Sequence, residues 1–125
     1  MQQESIIRLK SYAFALKCAT TCLAIQKSEK EYILTKQLIS SATSIGANVE
    51  GGRQAQSKLD FIHKLSISQK EAFESNYWIR LLKDCQLLEV KTADDLLNDC
   101  VEIQKILTAI LVSSKRNYSK IKRIG

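Results

Sequence analysis

Side chains able to do chemistry are few enough in this chain to weigh one by one. There is a single histidine, His63. The spacing Asp60-x-x-His63 puts a carboxylate and an imidazole one helical turn apart on one face. A di-metal site in a helical bundle needs a Glu from each of two helices and a Glu-x-x-His pair from each of the other two. One histidine does not supply that set, and His63 reads as a partly exposed helix residue. A cysteine nucleophile needs a base, and Cys18, Cys22, Cys85 and Cys100 all lie far in sequence from His63. No Cys-x-x-Cys pair is present, so the four read as reduced, buried thiols. Gly51-Gly52-Arg53 lacks both the preceding strand and the Lys-Ser/Thr ending of a phosphate-cradling loop, and reads as a helix stop. The expectation is a protein that is not an enzyme and holds no metal or cofactor.

Charge is more informative than nucleophiles. Residues 1–102 hold 13 Lys and Arg against 13 Asp and Glu, so the formal net charge of +6 falls entirely within residues 103–125. Lys115, Arg116, Lys120, Lys122 and Arg123, with Tyr118 interleaved, form a cluster of the kind that contacts nucleic acid. A solvated tail that only aids solubility fits the same residues. Were all five of these cations to meet duplex phosphates, log affinity would fall against log salt with a slope of about −4 to −5.

The elements that must carry these groups are helical. At 125 residues the chain fits one domain, 1–125, with the basic tail at about 115–125. Such a chain buries roughly two thirds of its unfolded surface. Proline is absent and hydrophobic residues make up 45% of the sequence, which favours helices over a sheet with turns. Ser28-x-x-Glu31, Ser57-x-x-Asp60 and Thr92-x-x-Asp95 resemble capping boxes and place helix starts near 29, 58 and 93, after an opening helix from about Ser5 to Gln26. We read an all-α, up-down-up-down antiparallel four-helix bundle.

Apolar residues at alternating spacings of three and four define the inward faces. They are Ile6, Leu9, Ala13, Leu16 and Leu23 in the first helix, and Leu34, Leu38, Ala42, Ile45 and Val49 in the second. The third gives Phe61, Leu65, Ser68, Ala72, Ser75, Ile79 and Leu82, and the fourth gives Leu96, Cys100, Ile103, Leu107 and Ile110. Helix three is also apolar outside its stripe, at Ile62, Ile67, Phe73, Tyr77, Trp78 and Leu81. Scattered exposed apolar residues are ordinary, but aromatics are costly to leave wet, and Ile62, Phe73, Tyr77 and Trp78 are assigned to a subunit interface.

The block from Ser40 to Gly52 holds three of the four glycines. Gly46 costs about 1 kcal/mol of helix propensity relative to Ala. With Ala42 and Asn48 it marks close helix packing, Asn48 reading as a structural amide that caps or cross-links backbone.

Gln37-Leu38-Ile39-Ser40-Ser41-Ala42-Thr43-Ser44-Ile45-Gly46-Ala47-Asn48-Val49-Glu50-Gly51 resembles the signature of a bacterial four-helix-bundle family. That family is named for a reading frame in the intervening sequence of some 23S ribosomal RNA genes. Asp60-Phe61-Ile62-His63-Lys64-Leu65-Ser66-Ile67, Lys70-Glu71-Ala72 and Tyr77-Trp78-Ile79-Arg80-Leu81-Leu82 follow the same pattern. Many members have proline where this chain has Gly46, which implies a straighter helix here. The resemblance implies a bundle that assembles as a ring, typically a homopentamer, with no catalytic residues. It also points to the accessory variability determinant proteins of diversity-generating retroelements, basic pentameric barrels that bind nucleic acid and a reverse transcriptase. The expected partners are therefore further copies of the chain and RNA or DNA. A reverse transcriptase or other protein is the alternative, with the ring as an interaction scaffold. Met1-Gln2-Gln3-Glu4 lacks the basic start of a signal peptide and no apolar run is long enough to span a bilayer, so a cytoplasmic protein without a membrane partner is expected.

Overall fold

The structure, a computed structural model, describes residues 2–124. It contains α1 (Gln2–Glu29), α2 (Leu34–Arg53), α3 (Lys58–Asp84) and α4 (Val90–Ile124), and each helix packs on its two neighbours around a square. The connections are short, as antiparallel neighbours require.

Only one of the three capping boxes forms as the sequence suggests. Ser57 Oγ accepts the N–H of Asp60 at 3.0 Å, and Asp60 Oδ2 accepts the N–H of Gln56 at 3.3 Å. Ser28 instead lies within α1, which begins earlier and ends later than its sequence pattern implies. Glu31 caps α2 from outside: its carboxylate accepts the N–H groups of Ile33, Leu34 and Thr35 at 3.0, 2.6 and 3.0 Å. Likewise α4 starts at Val90, three residues before the Thr92 box predicts, with Ala93 N–H already bonded to Glu89 O at 2.8 Å. Two non-glycine residues in the left-handed region, Lys30 (φ 56°) and Gln86 (φ 63°), turn the chain out of α1 and α3.

The inward faces of α3 and α4 match the sequence stripes, with Phe61 half-buried and Ala93, Leu111 and Ser114 added on α4. On α2, Leu34 is half-buried and Thr35, Ser41 and Gly52 join the core. The first stripe is overturned. Ile6, Leu9, Ala13, Leu16 and Leu23 are exposed, and α1 buries Ile7, Ser11, Phe14, Cys18, Cys22 and Ile25 instead. Both sets repeat at helical spacing, and the inner one is chosen because its small members allow a close approach. Ser11 lies against Gly46, where an added Cβ would stand 3.6 Å from its Oγ. Ile62 is a second correction: it is only 8% exposed and belongs to the core.

Small polar residues knit α2 to α3. Ser68 Oγ donates to Ile45 O at 2.8 Å and Ser75 Oγ to Ser41 Oγ at 2.9 Å, so these buried hydroxyls are satisfied and cost little. Gly52 does not stop α2 by a left-handed turn. It is buried within the helix, facing Leu65 and Phe61, and the helix runs on to Arg53.

Candidate functional site

α4 is the longest helix, with 35 residues against 20 in α2. Its levels follow from cross-helix bonds. Lys10 on α1 meets Glu102 at 3.0 Å, and Gln69 on α3 meets Thr108 at 2.9 Å. Counting along the antiparallel partners at about 1.5 Å per residue, α4 continues some 20 Å past the start of α1 and about 8 Å past the start of α3.

This overhang carries the basic cluster. After Ser114 every described side chain through Arg123 is exposed except Tyr118. Lys115, Arg116, Lys120, Lys122 and Arg123 therefore stand on a continuous helix, not a frayed tail, and Gly125 lies outside the described residues. Tyr118 is half-buried against the core with Lys122 Nζ 5.7 Å above its ring. Its ring anchors the overhang more than it offers a free stacking face.

The aromatics of α3 divide. Phe73 and Tyr77 are 54% and 50% exposed, Trp78 is half-buried on the core, and Tyr77 and Trp78 meet edge to face at 4.9 Å. Phe73 lines an open apolar groove between α3 and α4, about 620 Å³, with Val101 and Ala109 opposite and Arg80 and Lys105 at its sides. Arg80 is held along this groove by Asn76 Oδ1 at 2.9 Å and by the Tyr77 ring. The α4 wall of the groove was invisible to sequence reasoning, because Val101 and Ala109 are isolated apolar residues on an otherwise polar face.

In the Ser40–Gly52 block, Ala42 is fully buried and Gly46 faces Ser11, as close packing requires. Asn48 differs: its Nδ2 donates to Ser44 O of its own helix at 2.8 Å, a bond within α2 and not between helices. Compensation within a single helix suffices for a half-buried amide.

Cys18, Cys22 and Cys100 are buried, and Cys85 is exposed, contrary to the expectation for all four. Burial pushes the Cys22 and Cys100 thiols up to about 12 and Cys18 higher still, with Cys22 and Cys100 nearby adding to the last. Cys100 donates to Ala72 O at 3.1 Å. His63 is exposed. Among the described residues, no group of three or more His, Cys, Asp or Glu side chains is arranged to hold a metal ion. Among the described residues, no helix is long and apolar enough to cross a membrane.

Ion pairs close the edge between α1 and α4. Lys17 reaches Asp95 and Asp99, each at 2.6 Å, and these two carboxylates hold its ammonium above the usual lysine range despite partial desolvation. Arg8 pairs with Glu50 of α2 at 3.2 Å.

An up-and-down bundle with a seam of small residues between its second and third helices and a basic terminal helix defines the class. The chain belongs to the 23S rRNA-intervening sequence protein family, whose pattern it matches over residues 3–109. It is similar to a crystal structure of a protein with unknown function from the S23 ribosomal protein family of Bacteroides thetaiotaomicron. Sequence identity is 37%, the match covers 87% of this chain and 97% of that one, and the TM-score is 0.85. No curated protein matches the chain.

Proposed function

We propose that the protein is a non-enzymatic helical bundle that self-associates into a ring in the cytoplasm and binds RNA or another nucleic acid through the basic end of α4. The observation that carries this reading is the placement of Lys115, Arg116, Lys120, Lys122 and Arg123 on a helix that outruns the bundle. Phosphate binding is dominated by such cations. Repetition around a ring, a pentamer by family resemblance, multiplies weak contacts into avidity.

A salt titration of RNA binding tests it, comparing the wild type with a variant carrying Gln at those five positions. Glutamine keeps the helix and leaves Tyr118 seated. The wild type is expected to lose affinity steeply with salt while the variant binds weakly and with a shallow slope. Equal affinity and slope in both would remove the overhang from the reading. A protein partner captured in both and retained after nuclease treatment would favour the scaffold reading instead.

A further inference from the structure

The stripe that α1 turns away from the core is an unusual surface for a soluble helix. Leu9, Tyr12, Leu16 and Leu23 are 74%, 73%, 55% and 57% exposed, with Ile6 and Ala13 beside them. An outward helix face is ordinarily polar. Here Ile6, Leu9, Ala13, Leu16, Thr20 and Leu23 alternate at three and four residues, the repeat of a helix-packing seam, over about 26 Å. The three charged residues between Ser5 and Ala24 are Arg8, Lys10 and Lys17, and all are drawn sideways into ion pairs with α2 and α4. The face between them carries no charge.

Among the described residues, the α3–α4 groove is a concave apolar surface of matching kind, with Phe73 exposed on its wall. Its lining includes the cations Arg80 and Lys105 and no acid. The edge of α1 facing α4 is the opposite, with Asp95, Asp99 and Glu102 set against only Lys10 and Lys17. Ridge meets groove, and a net acidic margin meets a basic one, which is the complementarity that specifies register.

We infer that these are the two halves of one contact between copies of this chain, the leucine ridge of α1 in one copy seated in the α3–α4 groove of the next. The inference rests on the self-association proposed above and assigns its geometry. Two different patches make a head-to-tail contact, which closes into a ring or runs on as a filament, and never a twofold dimer. A ridge-to-ridge pairing would leave the groove unfilled and bring two acidic margins together.

The test uses the full chain and two variants, Leu16→Glu on the ridge and Phe73→Glu in the groove, with circular dichroism to confirm retained helix and light scattering to read mass. Each site is over half exposed, so folding is expected to survive. Each variant alone should run near the 14.1 kDa of one chain. Mixed in equal amounts they should form a one-to-one pair and stop there, because the first keeps a sound groove and the second a sound ridge. A Leu16→Glu protein with the wild-type oligomer mass would overturn the ridge while leaving self-association standing, as would a mixture that stays monomeric for the pairing. A monomeric wild type would remove both. Should Leu16→Glu lose helix, Leu9→Glu takes its place in the same mixture.

Discussion

Gly46 and Gly52 sit six residues apart on α2, and their surroundings give opposite expectations for alanine. At Gly46 a Cβ would stand 3.6 Å from Ser11 Oγ, an ordinary contact. Alanine there should recover part of the roughly 1 kcal/mol that glycine costs a helix interior, raising the urea midpoint. At Gly52 the Cβ would fall 2.6 Å from Leu65 Cδ2, a side chain only 2% exposed. Overpacking a closed core costs about 1–3 kcal/mol, so Gly52→Ala should lower the midpoint. The sequence flagged both glycines as constrained and placed close packing at Gly46, which does face Ser11, but it read a helix stop at Gly52, where the facing Leu65 leaves no room for a Cβ. Which glycine is indispensable depends on what the facing helix presents, and that is decided between elements.

Helix α1 shows where a single-element pattern runs out. Its outer set of Ile6, Leu9, Leu16 and Leu23 is more apolar than an inner set containing Ser11, Cys18 and Cys22. Periodicity alone therefore picks the outer face. The inner one wins because Ser11 fits against Gly46, Phe14 fills the centre, and small thiols suit tight layers. The stripes of α3 and α4 were legible because each has one dominant apolar face, and that of α2 nearly so. The caps follow a similar rule. Ser57-x-x-Asp60 forms because the chain turns immediately before it, whereas Glu31 is displaced outside its helix and caps three N–H groups at once. Partial desolvation pushes the Glu31 carboxyl up, but the Leu34 and Thr35 N–H groups, the Thr35 hydroxyl and the Ile33 N–H together hold it below its ordinary 4.5. A depressed folded pKa means stability present above 4.5 and lost as pH falls through the lower folded value. The melting temperature of Glu31→Ala should therefore trail the wild type at neutral pH, with the gap closing as acid is added below that point.

At the scale of the whole molecule, the four cysteines report on the fold as a unit. Cys85 lies exposed just after α3, while Cys18, Cys22 and Cys100 are sealed in the core with thiols pushed up by burial. A thiolate is the reactive species. One equivalent of Ellman's reagent should react at once, with the other three following at the rate of opening of the bundle. Two or more fast thiols would show a core looser than the packing described. The overhang of α4 has an electrical consequence of its own. The acids of that helix, Asp94, Asp95, Asp99 and Glu102, all lie before its midpoint, and Glu102 is about 20 Å along the axis from Lys115. The screening length at physiological salt is about 8 Å, so the two ends of α4 scarcely neutralise one another. Lys122 and Arg123 in the last turn also offset the negative end of the helix's own dipole. The molecule is thus electrically polarised along its length, and a net charge of +6 understates what a polyanion meets. Such a partner would be turned end-on before contact, so orientation during approach precedes any chemistry of recognition.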